Sequence, residues 1–251
     1  MADAILALHN LSHAFGGLQA VDDVSLKLPQ HGLSALIGPN GAGKTTLFAL
    51  MSGFLRPDSG RVLFRGEDIT GRAPHRNALQ GMTRTFQIVQ PFAQQTVREN
   101  IAVGAHLRLP DRRAALERAE IVARQVGLAP QLDKPAADLT VGGRKRLELA
   151  RALATQPRLL LLDEVLAGLN PGEIAEMIPV VRGIADSGVT VLMIEHVMQA
   201  VMNLAQHVWV LAQGRLIAQG TPAQVTRDDR VIEAYLGHGT AARLRAAELA
   251  R

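Results

Sequence analysis

Apolar residues recur in different rhythms along the chain. Over residues 4–27 they alternate loosely with polar ones, and Gly16 and Gly17 break the alternation, which predicts two short strands joined by a turn. Residues 33–38 read LSALIG, an unbroken apolar run ending in glycine. A parallel strand buried on both faces looks like this. From Thr45 the stretch TTLFALMSGF continues as a helix, so strand, glycine loop and helix follow one another.

Between Pro91 and Pro157 the texture changes to alanine, arginine, leucine and glutamate, with helical spacing in RRAALERAEIVARQVGL. This predicts an all-helical lobe. The strand signal returns as LLLLDE from Leu159, followed by a helix over about 171–187 and a second buried strand, VTVLMIEH. VWVLAQG and RLIAQG predict two more short strands, with Gly214 at their turn. Apolar strands alternating with helices imply an α/β fold on a mostly parallel sheet. The sequence shows no internal repeat and no low-complexity linker.

The 251 residues, 47% hydrophobic and 20% charged, suit one globular domain with an inserted lobe and exclude a disordered or fibrous chain. Net charge is only +4, and no long block of like charge points to nucleic acid. Without cysteine there is no disulfide and no thiolate metal site. The beginning MADAILALHN lacks the basic leader of a secretory signal, and the run 159–162 is too short to span a bilayer. Any link to a membrane is therefore expected to run through a partner.

Residues 38–45, GPNGAGKT, satisfy the phosphate-loop pattern at every fixed position. Gly41 and Gly43 let successive backbone N–H groups converge on phosphate at a helix N-terminus. Lys44 supplies a point charge for the β- and γ-phosphates, and Thr45 a hydroxyl for Mg²⁺. The competing reading is a structural glycine turn, which the strand and helix on either side disfavour.

Asp163 and Glu164 end a buried apolar strand, where a carboxylate needs a cation. In a phosphate-loop protein the first acid steadies Mg²⁺ and the next is placed to polarise the attacking water; the alternative is a solvated acidic turn. His196 ends the next predicted strand and should emerge on the same sheet edge, near the γ-phosphate or the water, although any one of eight histidines is more often structural. Gln87, in RTFQ, stands where the core gives way to the helical lobe, as a further Mg²⁺ ligand able to report nucleotide state; by itself a glutamine is a common surface residue.

Taken in order, GPNGAGKT, Gln87, LTVGGRKRLELARAL, LLLLDE and IEH resemble the motif series of ABC transporter ATPase subunits over residues 4–237. FGGLQAVDDVSL, GMTRTFQ, AGLNP, IEHVM and VIEAYLG resemble, more narrowly, the ATPase subunits of branched-chain amino-acid uptake systems. The resemblance implies one nucleotide-binding domain over 1–239 with an N-terminal antiparallel β subdomain, a core of 1–90 and 158–239, and an inserted helical subdomain, 91–157. A short helical tail is expected at 240–251. It also implies ATP and Mg²⁺ as ligands. Phe15 matches the aromatic on which adenine stacks, with an ordinary core phenylalanine as the alternative. Gly38, Pro39, Asn40, Gly41, Ala42, Gly43, Lys44, Thr45 and Thr46 match the Walker A loop, Asp163 the Walker B acid and Glu164 the catalytic base. Gln87 matches the Q-loop, residues 167–170 the D-loop and His196 the switch histidine.

Two departures stand out. The family signature LSGGQ is matched by Thr140, Val141, Gly142, Gly143 and Arg144, so that valine replaces the serine expected to bond the γ-phosphate, and Val165 replaces a proline. In the family two cassettes sandwich two ATP molecules, each between one chain's Walker A loop and the other's signature. Gly142, Gly143 and Arg144 are therefore expected at the partner's nucleotide, and the valine favours a heterodimer with an intact second cassette. Lys145 and Arg146 are expected on a solvated basic face. The function implied is the motor of an importer, peripheral to the cytoplasmic side of the cell membrane, with permease subunits and a substrate-binding protein as partners. Competing functions are an export or lipid-handling cassette, a soluble ABC ATPase of repair or translation, and a nucleotide sensor without turnover.

Overall fold

The computed structural model of the chain describes residues 4–87 and 90–237. β1 (Ala4–Phe15) and β2 (Leu18–Pro29) form an antiparallel hairpin that turns at Gly16 and Gly17. Each strand is twelve residues long rather than short, because register shifts between Leu8 and Ala14 break the alternation without ending the pairing. β3 (Leu33–Ile37) leads through the glycine loop into α1 (Lys44–Ser52). β4 (Ser59–Phe64), β5 (Glu67–Asp68), α2 (Pro74–Gln80) and β6 (Met82–Arg84) follow. The apolar pattern predicts none of these four. β5 and β6 are too short to carry a period, and Ser59, Gly60 and Arg61 hide the strand character of β4, whose partner is β1, some fifty residues earlier.

Residues 91–157 hold α3 (Val97–Ala105), α4 (Arg112–Gln125) and α5 (Val141–Ala154). Each begins at a side-chain cap: Thr96, Asp111 and Thr140 accept from the N–H groups of Glu99, Ala114 and Gly143. The chain then returns to α/β alternation with β7 (Leu159–Asp163), α6 (Pro171–Asp186), β8 (Thr190–Ile194) and α7 (Met198–Leu204). It continues with β9 (His207–Ala212), β10 (Arg215–Gly220), α8 (Pro222–Val225) and α9 (Asp229–Leu236). Gly214 makes the β9–β10 turn at φ +78°. The helical tail expected at 240–251 lies outside the described residues.

Two sheets result. The antiparallel one has the order β2-β1-β4-β5 and the other β10-β9-β3-β8-β7-β6, parallel except for β10. In the parallel sheet successive side chains enter two different cores. Leu36, Leu159, Leu161, Leu192, Ile194, Trp209 and Leu211 pack with α1 and the antiparallel sheet. Ala35, Ile37, Leu160, Leu162, Val191, Met193, Val208 and Val210 pack toward the helices. Both faces are covered, so the strands read as continuous apolar runs. Among the described residues no helix is long and apolar enough to cross a membrane.

Parallel strands point their carboxyl ends the same way. β3, β6, β7 and β8 are parallel in register, so the segments that follow them emerge at one sheet edge.

Candidate functional site

At two positions of the glycine loop no side chain fits. A Cβ on Gly38 would lie 2.0 Å from the Leu211 carbonyl oxygen, and one on Gly43 2.1 Å from that of Ala20. Gly43, at φ +100°, is also the left-handed N-cap of α1. The Lys44 side chain folds back over the loop, where Nζ donates to the carbonyls of Gly38 and Pro39 at 2.8 and 2.9 Å. Burial holds its pKa below the usual lysine range, opposed by the charges of Glu164 and Asp163.

At the end of β7 the two acids part. Asp163 is buried, and its Oδ2 meets Arg84 Nη2 at 2.6 Å. Glu164 takes φ +50°, a left-handed turn unusual for a side chain of its size, and its N–H donates to the Ile194 carbonyl at 3.0 Å. Its carboxylate accepts from Gln87 Nε2 on one oxygen and lies against His196 Nε2 on the other, both at 2.7 Å. Three segments that are distant in sequence thus meet at one carboxylate.

A cavity of about 800 Å³ opens over this group, lined by Phe15, Asn40, Gly41, Ala42, Gly43, Lys44, Thr45, Thr46, Gln87, Glu164 and His196. Phe15 is half exposed rather than buried in the core, with the His13 ring edge-on to it at 4.7 Å. Gly38 and Pro39 hold Lys44 from beneath. The floor of amides and an ammonium group suits phosphate, and the exposed ring suits a base. Thr45, Gln87 and Asp163 offer a hydroxyl, an amide and a carboxylate, oxygen donors of the kind magnesium takes beside phosphate and water. No group of three or more histidine, cysteine, aspartate or glutamate side chains among the described residues could hold a metal alone.

Gly142 and Gly143 are not in this cavity. They line a separate one of about 230 Å³ with Thr140, Arg146, Leu169 and Glu173, and Arg144 lines neither. The hydroxyl at the start of α5 belongs to Thr140, whose Oγ1 accepts from Gly143 N–H at 3.1 Å, while the Val141 side chain is exposed. The α5 N-terminus therefore keeps a hydroxyl despite the valine. Val165, the other departure, packs into the core.

Lys145 and Arg146 correct the expectation of a solvated basic face. Lys145 is buried and donates to the carbonyls of Gln87 and Glu164, both at 3.2 Å. Arg146 donates to the Val126 carbonyl and pairs with Glu176, each at 3.0 Å. The helical spacing of Lys145 with the buried Leu149 and Ala152 was the available signal. Two further residues of the site carry no motif in the sequence. Arg84 lies on a strand too short to detect. Glu195, next to His196, is 2% exposed and accepts from the Leu166 N–H at 3.0 Å, tying the segment after Glu164 to the one carrying His196.

Burial pushes the Glu195 carboxyl up to about 7, against the lowering effect of the Leu166 and His196 amides, and the charge of Glu164 pushes the same way as burial. A folded-state pKa above the ordinary 4.5 means that this group's contribution to stability is complete below about pH 4.5 and is lost as pH rises through 7. Glu195→Gln should keep the acceptor and remove that loss. We expect its stability relative to wild type to improve by about 2–3 kcal/mol between pH 5 and pH 8 in denaturant unfolding, and a pH-independent difference would contradict the assignment.

Comparison with known proteins agrees with this geometry. A family model described as ABC transporter matches residues 21–167, and one described as branched-chain amino acid ATP-binding cassette transporter matches residues 215–241. The chain is 40% identical to the high-affinity branched-chain amino acid transport ATP-binding protein LivG of Escherichia coli K12, over 94% of this chain and 99% of that protein. It is 39% identical to BraF of Pseudomonas aeruginosa, with the same coverage. Among solved structures, a nucleotide-free ATP-binding cassette from an ABC transporter superposes with TM-score 0.85 at 32% identity, covering 94% of this chain and 100% of that one. A structure of the ADP conformation of an ATP-binding cassette of an ABC transporter superposes with TM-score 0.84 at 33% identity, covering 94% of this chain and 99% of that one. With its phosphate loop, strand-end acids and family match spanning more than half its length, the chain belongs to the ATP-binding cassettes of the ABC transporter family.

Proposed function

We propose that this chain is the ATP-hydrolysing motor subunit of a membrane importer for branched-chain or related amino acids. The observation that carries the hydrolytic reading is the Glu164 carboxylate, held between Gln87 and His196 at the rim of a cavity floored by the phosphate loop. The amino-acid reading rests on the relatives named above.

ATP would lie with its adenine on Phe15 and its phosphates on the amides of the 38–46 loop, with Lys44 turning from its carbonyl partners to the β- and γ-phosphates. Thr45, Gln87 and Asp163 would hold Mg²⁺, whose charge offsets that of the phosphate oxygens when it is bound. Glu164 takes a proton from water as the water oxygen bonds to the γ-phosphorus. The bond to the bridging oxygen then breaks, leaving its electron pair on ADP. His196 and Gln87 fix the carboxylate that receives the proton.

Coupling follows from how Gln87 is tied down. Its carbonyl accepts from Lys145, and the preceding N–H, of Phe86, donates to Glu148. Both partners belong to α5, so a shift of Gln87 toward nucleotide pulls on the helices of 91–157. We read those helices as the lever that moves permease subunits, which would in turn hold the chain at the cytoplasmic face of the membrane beside a substrate-binding protein. The cavity at Thr140, Gly142 and Gly143 lies apart from the chain's own phosphate loop, which supports a second cassette as partner. Since Thr140 supplies a hydroxyl there, an identical copy can serve as well as an unlike one.

Glu164→Gln should lower ATP turnover by about 100-fold or more while leaving ATP affinity within a few-fold. In proteoliposomes with permease and binding protein it should abolish ATP-driven uptake of labelled leucine; unchanged turnover would overturn the base assignment, and wild-type vesicles that take up no leucine, isoleucine or valine would overturn the substrate. At the second cavity, Thr140→Ser should turn over within about threefold of wild type and Thr140→Val about 10- to 100-fold more slowly, with Val141→Ser nearly neutral. The reverse order would return the role to position 141.

A further inference from the structure

Arg84 takes no part in the chemistry above, yet it makes the closest contact to Asp163. It ends β6, paired in parallel with Leu161 of β7, and its Nη2 lies 2.6 Å from Asp163 Oδ2. Both side chains are buried, at 7% and 2% exposure. The guanidinium carbon lies 5.8, 5.9 and 5.6 Å from the ring centroids of Phe48, Phe54 and Phe86. Phe54 and Phe86 meet edge to face at 5.3 Å, closing the pocket around the cation. Arg84 Nε is buried and has no hydrogen-bond partner among the described residues. One carboxylate and three aromatic faces therefore hold the charge.

A buried carboxylate is tolerable only beside a cation, and removing one partner of a buried pair leaves the other uncompensated. Before any metal binds, that cation is Arg84. Its bond goes to Oδ2, while Oδ1 accepts no hydrogen bond among the described residues, so the carboxylate can serve a second cation without releasing the first. The aromatic faces stabilise the guanidinium where it is. A positive charge fixed on one oxygen weakens the attraction of the other for a divalent ion.

We propose that Arg84 is the resident counter-cation of Asp163, a positioning residue that pairs with the carboxylate and aims it in the nucleotide-free protein, and that holds down the affinity of the site for Mg²⁺. The proposal rests on the reading of Asp163 as the metal acid. A purely structural ion pair would leave the metal dependence of nucleotide binding unchanged, so that dependence is the discriminating quantity.

The test is the Kd of ATP for the purified full chain, by titration calorimetry, in excess Mg²⁺ and in EDTA, read as the ratio of the two. Arg84→Met should raise the EDTA-to-Mg²⁺ ratio at least tenfold and lower the melting temperature in EDTA, with Mg²⁺ and ATP restoring it. Arg84→Lys, which keeps a charge, should stay within about threefold of the wild-type ratio. A ratio within twofold of wild type in Arg84→Met, while Asp163→Asn collapses it, would overturn the counter-cation and leave the metal acid standing. Asp163→Asn with an unchanged ratio would remove the metal acid and the proposal together. Should Arg84→Met fail to fold, Arg84→Met combined with Asp163→Asn decides the matter. A folded double variant supports the uncompensated carboxylate as the cause, and a double variant that still fails to fold overturns it.

Discussion

Two carboxylates stand side by side at the end of a strand buried on both faces, and charge in that position has to be matched. Much of what surrounds Asp163 and Glu164 answers that constraint. Arg84 pairs with the first, Gln87 and His196 with the second, and Lys145 with the carbonyl of Glu164. Lys44, buried against the loop carbonyls, feels both acids. The partners come from β6, the segment after it, the segment after β8, α5 and α1. The same contacts that neutralise the acids therefore join the sheet to the helices of residues 91–157.

The sheet makes this convergence possible. Because β3, β6, β7 and β8 run in one direction, phosphate loop, Gln87, acids and histidine leave the sheet at one edge. Two opposed cores grip alternate residues of these strands. That fixes register, since a slip by one residue would exchange the two faces. Glu164 then departs from the regular backbone at φ +50°, between a strand end and its hydrogen bond to Ile194. Such a turn persists only where its surroundings hold it, and here Ile194, Gln87 and His196 all bond to Glu164.

What the sequence makes legible follows from how locally each feature is encoded. The phosphate loop, LLLLDE and IEH each pack their chemistry into a few adjacent residues, and the paired apolar runs announce a parallel sheet. By contrast β5 and β6 span two and three residues and exist only through pairing with β4 and β7, so no period marks them. Arg84 was hidden with β6. Lys145 looked like one of three consecutive basic residues on a solvated face; it is buried because its turn of α5 faces Gln87 and Glu164, a tertiary fact. At the start of α5 the hydroxyl that occupies the cap is that of Thr140, not the side chain at position 141, a placement that only the helix start reveals.

Hydrolysis at Glu164 requires that the loop at residues 38–46 and the Lys44 ammonium form a site for a triphosphate. Calorimetric titration of the purified chain with ATP and Mg²⁺ tests it most directly. Saturable binding of a single ATP per chain, lost in Lys44→Ala with the fold intact, is the result the account requires. No saturable binding by the wild-type chain, or binding indifferent to Lys44, would contradict it.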